Sequence, residues 1–185
     1  MIKYKNIVLR NSKETDYDDY HNWFFVDKEW GEWDAPWEED WTEEQYQELI
    51  EDLKENWYCK EGIWYRFEIE AETKAGVSEH IGWVSSYNMD NGIVGRAIGI
   101  NIPPQDARGK GYGKNAYIAF INYLFEKTKA EVLYTQTWSG NYPMIAMARS
   151  VGFKEIERIK DLREWKNIKY DALTFAIYRK DIERR

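Results

Sequence analysis

The sequence predicts an α/β fold of the α+β kind: one domain, 1–185, on a central mixed, mostly antiparallel sheet of about seven strands flanked by helices. Three observations carry this. Strand-like and helix-like segments alternate along the whole chain, with no repeat and no Pro/Gly-rich linker between them. Three strand segments follow one another in mid-chain, separated only by polar turns, which makes the first half largely antiparallel. The length, 185 residues with 43% apolar, suits one core better than two domains.

The first strand is NIVLR, Asn6 to Arg10. A helix follows, with Ser12 or Thr15 placed to cap it and acids in its first turn. A second helix starts at Thr42, which forms a capping-box pattern with Gln45, and Tyr46, Leu49, Ile50, Leu53 and Trp57 recur at helical spacing. Gly62 to Glu70 alternates, with Ile63, Tyr65, Phe67 and Ile69 on one face. The strands HIGWVSSYN and GRAIGINI follow turns around Lys74 to Gly76 and Asp90 to Gly92. Gly111 to about Lys127 reads as a helix with Tyr117, Ile118, Ile121, Leu124 and Phe125 inward, and EVLYTQT is the next strand. NYPMIAMARSVGF is a short helix stopped by Gly152. Strands near Phe153 to Ile159 and Tyr170 to Arg179 close the chain.

Charge narrows the function. The chain holds 26 basic and 33 acidic residues, a net of −7. Nine acids (Asp27, Glu29, Glu32, Asp34, Glu38, Glu39, Asp40, Glu43, Glu44) crowd one window against Lys28 alone, leaving 24 acids and 25 bases elsewhere. Trp30, Trp33, Trp37 and Trp41 share that window. Such a segment disfavours direct contact with nucleic acid, which needs clustered Lys and Arg, and suits a cation held by carboxylates and indole faces. It can cover an acceptor site, or be a solvated face whose indoles pack as one stripe; Pro36 stiffens its turn. Cys59 is alone, so no internal disulfide framework is expected. No apolar run has the length of a signal peptide core or a membrane span, so the chain is expected in the cytoplasm and off the membrane. His21 and His80 stand far apart without neighbouring cysteines; each reads as a surface or turn residue, and no metal is expected.

The stretch PPQDARGKGYGKNAY, Pro103 to Tyr117, carries the chemistry. It fails the dinucleotide fingerprint, because Lys114 stands where a glycine is needed, and it fails the Walker A pattern at Arg108 and Asn115. What remains is Arg108-x-x-Gly111-x-Gly113 between a strand and a helix. Small residues there let successive backbone N–H groups face an anion at the positive end of the helix dipole, with Lys110 and Lys114 adding charge. The chemistry is that of a pyrophosphate seat; the plain alternative is a tight turn before a helix.

On these residues the chain resembles the Gcn5-related N-acetyltransferases, the GNAT family, whose acetyl-CoA signature is Q/R-x-x-G-x-G/A at the start of the helix after the fourth strand. Arg108, Gly111 and Gly113 match it, and Asn141 and Gly152-Phe153 stand where that family often has Asn and Gly-Phe. The tail REWKNIKYDALTFAIYR resembles the subgroup of ribosomal-protein N-terminal and spermidine acetyltransferases. The likeness spans nearly the whole chain and is least anchored from about Asp27 to Trp57. It implies transfer of an acetyl group from acetyl-CoA to an amine, a small molecule or a peptide N-terminus, by direct attack. A bulged fourth strand, Ala97 to Ile102, would splay from the fifth, with Gly99 its candidate irregularity and backbone near Ile100 and Ile102 binding the pantetheine arm. Arg108 and the amides of Gly109, Lys110, Gly111, Tyr112, Gly113 and Lys114 would hold the pyrophosphate, and Asn141 would touch the cofactor near the split. A homodimer is open, since dimers are common in that family.

The chemistry needs a base for the amine and an acid for the departing thiolate. Many relatives carry a Tyr seven residues after the Asn; here that position is Ala148, and the fourth strand carries no acid. Asn141, also a preferred helix N-cap, Ser139 and Tyr142 are the catalytic candidates, with Tyr87 a further donor and Asp34 or Glu38 the bases. Trp33, Asp34, Trp37, Glu38 and Tyr87 would line the acceptor side. A water relay or backbone N–H groups alone would meet the same needs, and a non-catalytic acyl-CoA-binding protein of this fold is the alternative.

Overall fold

The computed structural model describes residues 1–73, 76–89 and 95–182. The turns expected around Lys74 and around Asp90 to Gly92 lie largely outside the described residues. In chain order the strands are β1 (Ile2–Tyr4), β2 (Ile7–Arg10), β3 (Cys59–Lys60), β4 (Ile63–Trp64), β5 (Arg66–Glu72), β6 (Ser78–Asn88), β7 (Arg96–Asn101), β8 (Val132–Trp138), β9 (Lys154–Trp165) and β10 (Ile168–Tyr178). The helices are α1 (Asp16–His21), α2 (Gly31–Asp34), α3 (Glu43–Lys54), α4 (Tyr112–Lys127), α5 (Tyr142–Val151) and α6 (Arg179–Ile182). One π-turn, Asn22–Val26, extends α1.

Among the described residues the main sheet has eight strands in the order β1-β2-β5-β6-β7-β8-β10-β9, one more than expected. The extra strand is β1, which folds back on β2 through Lys5 at φ 51°. The strand expected from Gly62 is divided: Ile63–Trp64 pairs with Cys59–Lys60 in a small hairpin, and β5 begins only at Arg66. The closing strands run longer than expected and join through Lys166 and Asn167, both at positive φ as a tight hairpin turn needs. Among the described residues every pairing of the main sheet is antiparallel except β7 with β8.

Alternation along β6 assigns the two faces. Val84 is fully buried in the larger core cluster with α4 residues Tyr117, Phe120, Ile121 and Leu124. Trp83 points the other way, into a second cluster with Tyr20, Phe24, Leu49 and Leu53 from α1, the π-turn and α3. The capping box of Thr42 and Gln45 is present at α3, Asn141 caps α5, and Gly152 ends α5 at φ 106°. Three local expectations fail. Thr15 makes no capping bond, because its backbone is already helical, at φ −64° and ψ −18°, where a cap needs an extended one. Trp57 lies beyond α3, which ends at Lys54, and is 59% exposed.

The third correction is His80. Its side chain is buried in β6 between Asp19 (Nδ1 to Oδ2, 2.9 Å) and Glu68 (Nε2 to Oε2, 3.1 Å). β5 therefore buries both faces, and Glu68 also accepts from Tyr20 at 2.6 Å while Arg66 donates to that same hydroxyl. Burial lowers the imidazole's pKa, but the bonds to Asp19 and Glu68 and the charges of Glu68 and Asp16 outweigh it and raise it to about 9. Asp16, Asp19 and His80 bring ligand-type atoms within 4.8 Å of one another. Arg10 already holds both Asp16 oxygens, at 2.7 and 2.8 Å, so the group is knit as a buried ion network.

Candidate active site

The site begins where two parallel strands part. β7 and β8 pair only at Arg96 with Leu133 and Ala97 with Tyr134. Past that point the Ile98 carbonyl lies 3.0 Å from Thr135 Oγ1 and 2.8 Å from Tyr117 Oη, and Tyr117 donates to Thr135 at 2.8 Å. Burial raises the pKa of the Tyr117 phenol strongly, so it stays a neutral hydroxyl wedged in the fork. The register of β7 on β6 runs without a shift from Arg96 to Asn101, so the splay arises without the expected bulge around Gly99.

Into the fork opens a cavity of about 980 Å³. Its floor is the end of β7, Gly99 to Ile102, and its far wall is the start of α5, including Met144 and Met147. The glycine loop closes one end. Gly109 and Gly111 have φ of 73° and 85°, a region that side-chain-bearing residues resist, and an added Cβ at either would meet nothing within 4 Å. Gly111 is the N-cap of α4 and makes no side-chain cap, while a helix's first turn leaves N–H groups without intrahelical acceptors. Gly111, Gly113 and Lys114 line the cavity there. Gly113 serves packing: a Cβ on it would stand 2.9 Å from Ile102 Cδ1.

Arg108 lines the cavity too, yet its guanidinium is engaged. It donates to Ile102 O at 2.9 Å, to Pro103 O at 2.5 Å and to Glu29 Oε2 at 2.6 Å, bracing the end of β7 against the acidic segment.

The acidic segment roofs the other end. Trp33 and Asp34 of α2 line the cavity with Glu29 and Trp30, facing Ser85 and Tyr87 of β6. The four tryptophans do not form one buried stripe. Trp30 packs edge-on against Trp83, Trp41 stacks on Phe24 at 4.1 Å, Trp37 meets Trp138, and Trp33 and Trp41 remain 37% and 38% exposed. Asp34 is exposed along the cavity yet closely surrounded by protein. Desolvation there, then the charge of Glu38, raises its pKa. Tyr87 is raised as well, by desolvation and by the charge of Asp34.

The structure thus gathers Ile100, Ile102, Arg108, Gly109, Gly111, Gly113, Lys114, Asn141, Trp33, Asp34 and Tyr87 around one cavity. The other expected residues fall elsewhere. Lys110 and Tyr112 line a smaller cavity beside Thr73 and His80, and Tyr112 is core. Glu38 lines a third cavity, of about 330 Å³, with Trp41 and Trp165. Trp37 lines none of the three and packs on Trp138. Ser139 exchanges two 2.9 Å hydrogen bonds with Asp171 of β10. Tyr142 is 69% exposed and does not line the cavity, and Ala148, fully buried, has no acidic proton to give. Sequence reasoning missed Glu29, Thr135 and Trp138; the one signal was a threonine at the centre of an otherwise apolar strand core.

The family model for the acetyltransferase (GNAT) domain matches residues 6–154. A prophage-derived uncharacterized N-acetyltransferase, YokL of Bacillus subtilis, is 24% identical over 105 residues, which is 56% of this chain and 58% of that protein's length. Among solved structures, a GNAT acetyltransferase from Bacillus anthracis superposes with a TM-score of 0.72 at 18% identity, covering 97% of this chain and 98% of that one. RimJ of Mycobacterium smegmatis, in complex with CoA-disulfide, gives 0.73 at 18% identity over 95% and 83%. A spermidine N-acetyltransferase SpeG chimera from Vibrio cholerae and hSSAT gives 0.70 at 20% over 98% and 100%. At these identities the structural likeness is one of fold.

Proposed function

This chain belongs to the GNAT acetyltransferase family, and we propose that it transfers the acetyl group of acetyl-CoA to the amine of a cationic acceptor, by direct attack. The observation that carries this is the single cavity joining the α4 N-terminus, the β7–β8 fork and Asp34 with Tyr87. The open space before Gly109 and Gly111 fits a pyrophosphate on backbone N–H groups, with Lys114 adding charge. Acetyl-CoA supplies the activated thioester. Unpaired strand edges in the fork offer hydrogen bonds to an extended arm and to the carbonyl oxygen as charge develops on it.

Asp34 serves as the base. Its pKa, raised by desolvation and by Glu38, brings it closer to that of the proton it accepts, while its charge and the indoles of Trp30 and Trp33 favour an ammonium-bearing acceptor. The amine nitrogen bonds to the thioester carbon, its proton passes to Asp34, the carbon–sulfur bond breaks, and the sulfur takes a proton. Tyr87, kept protonated beside Gly99, is the donor for that last step. Calorimetric titration with acetyl-CoA tests the cofactor half: one site that desulfo-CoA and CoA compete for is expected, and absence of heat and of competition would contradict it.

A further inference from the structure

The acidic segment is fastened to the sheet through its backbone, at Trp33 and at Asp34 itself. Trp138 Nε1 at the end of β8 donates to Trp33 O at 3.1 Å and to Asp34 O at 3.0 Å. Asn141 Nδ2 donates to Trp33 O at 2.5 Å. The donors are themselves fixed. Trp138 is 5% exposed, edge-to-face with Trp37, Trp165 and Tyr170, and its ring lies so close over Gly140 that an added Cβ there would stand 1.8 Å from Cζ3. Asn141 Oδ1 accepts from Met144 N at 3.0 Å, so capping α5 orients its amide and leaves the NH₂ to face Trp33. α2, in contrast, is four residues long with no side-chain cap, too short to hold its own shape.

We infer that Trp138 and Asn141 form a clamp that positions Asp34 in the cavity, and that Asn141 acts in this way rather than as a cofactor contact. The inference rests on the reading of Asp34 as the base. Both are positioning residues: they act on the carboxyl through the backbone that carries it. Asp34 is faced by Tyr87 from β6 and by Glu38 from the turn after α2; Glu29 and Arg108 share its cavity, and Lys28, Glu32, Glu39, Asp40 and Lys166 the adjoining one. Released from the clamp, the carboxyl moves toward water, where an aspartate titrates in its ordinary range.

The test compares wild type with Trp138→Phe, which keeps a ring but loses the N–H, and Asn141→Ser, which keeps a capping oxygen but cannot reach Trp33. Carbon-13 NMR of the Asp34 carboxyl, assigned with Asp34→Asn, gives its titration without any acceptor. The expected result is a lower Asp34 pKa in both variants, with calorimetric acetyl-CoA affinity within about threefold of wild type. With spermidine, an aminoglycoside or a lysine-rich peptide with a free N-terminus, kcat should fall roughly 10- to 100-fold and its acid limb should move to lower pH. If Trp138→Phe fails to fold, Asn141→Ser decides. An unaltered Asp34 titration in the folded variants overturns the clamp, whereas inactive Asp34→Asn leaves the base reading standing. Weakened acetyl-CoA binding with that titration unaltered returns Asn141 to the cofactor. Full activity of Asp34→Asn overturns the base reading and this inference with it.

Discussion

Glu29 accepts a 2.6 Å hydrogen bond from Arg108, joining the acidic segment to the glycine loop across 79 residues of sequence. The proposed acceptor side and cofactor side therefore share a brace, and Arg108 fills the role of strut through its bonds to Ile102 and Pro103. The pair is partly exposed, at 26% and 40% for the two side chains, so its direct worth to stability is at most about 1 kcal/mol. Its value lies in geometry.

That division of labour ranks two variants. Gly111→Leu places a side chain where φ is 85° and where the proposed pyrophosphate sits, so acetyl-CoA affinity should fall by roughly 100-fold or more, with about 1–2 kcal/mol of backbone strain. Arg108→Ala should weaken binding by a smaller factor, because the guanidinium is already committed to protein acceptors. Calorimetry and thermal denaturation on both proteins check the order. A larger loss in Arg108→Ala would mean that the arginine leaves Glu29 to hold phosphate directly.

A pH profile addresses Asp34. Because desolvation and Glu38 raise its pKa, activity should disappear as pH falls through a point higher than an ordinary aspartate would set. Removing the like charge with Glu38→Gln should move that acid limb to lower pH, and Asp34→Asn should cut kcat by roughly 100- to 10,000-fold. An acid limb that Glu38→Gln leaves in place would assign it to another group.

The buried network around His80 predicts a stability trend. The imidazole's pKa is about 9 in the fold against an ordinary 6.5, so its contribution is complete below pH 6.5 and is lost as pH rises through about 9. Across that window the folded chain holds the extra proton, and stability should drop by at most about 1.4 kcal/mol per pH unit from this residue. Urea midpoints measured from pH 6 to pH 10 read the slope. His80→Gln, less stable overall, should show it flattened; an equal slope in that variant would place the titration elsewhere.

What the sequence revealed follows from which forces act locally. The capping box at Thr42, the cap at Asn141 and the stop at Gly152 are set within four residues and stand as expected. The glycine loop was equally legible, because Gly109 and Gly111 answer to backbone φ. The Gly62 strand is split by a hairpin with Cys59–Lys60 that alternation alone does not mark, while the burial of both faces of β5 and the fate of His80 depend on α1 docking from far along the chain, which periodicity cannot register. The four tryptophans illustrate the same limit. Their helical spacing suggested one stripe, but α2 is only four residues long, and Trp30, Trp37 and Trp41 instead turn to Trp83, Trp138 and Phe24. The residues proposed for acceptor and thiolate chemistry lie on this non-local part of the fold, and Ser139 and Tyr142, chosen by residue type, do not line the cavity.

The most direct measurement is thiol release from acetyl-CoA by the wild-type chain against polyamines, aminoglycosides and peptides with free N-termini, with neutral amines alongside. Turnover concentrated on cationic acceptors, and abolished in Asp34→Asn with acetyl-CoA binding kept, is the result expected. Tight acetyl-CoA binding without release for any amine would contradict the catalytic account and leave an acyl-CoA-binding protein built on the same fork.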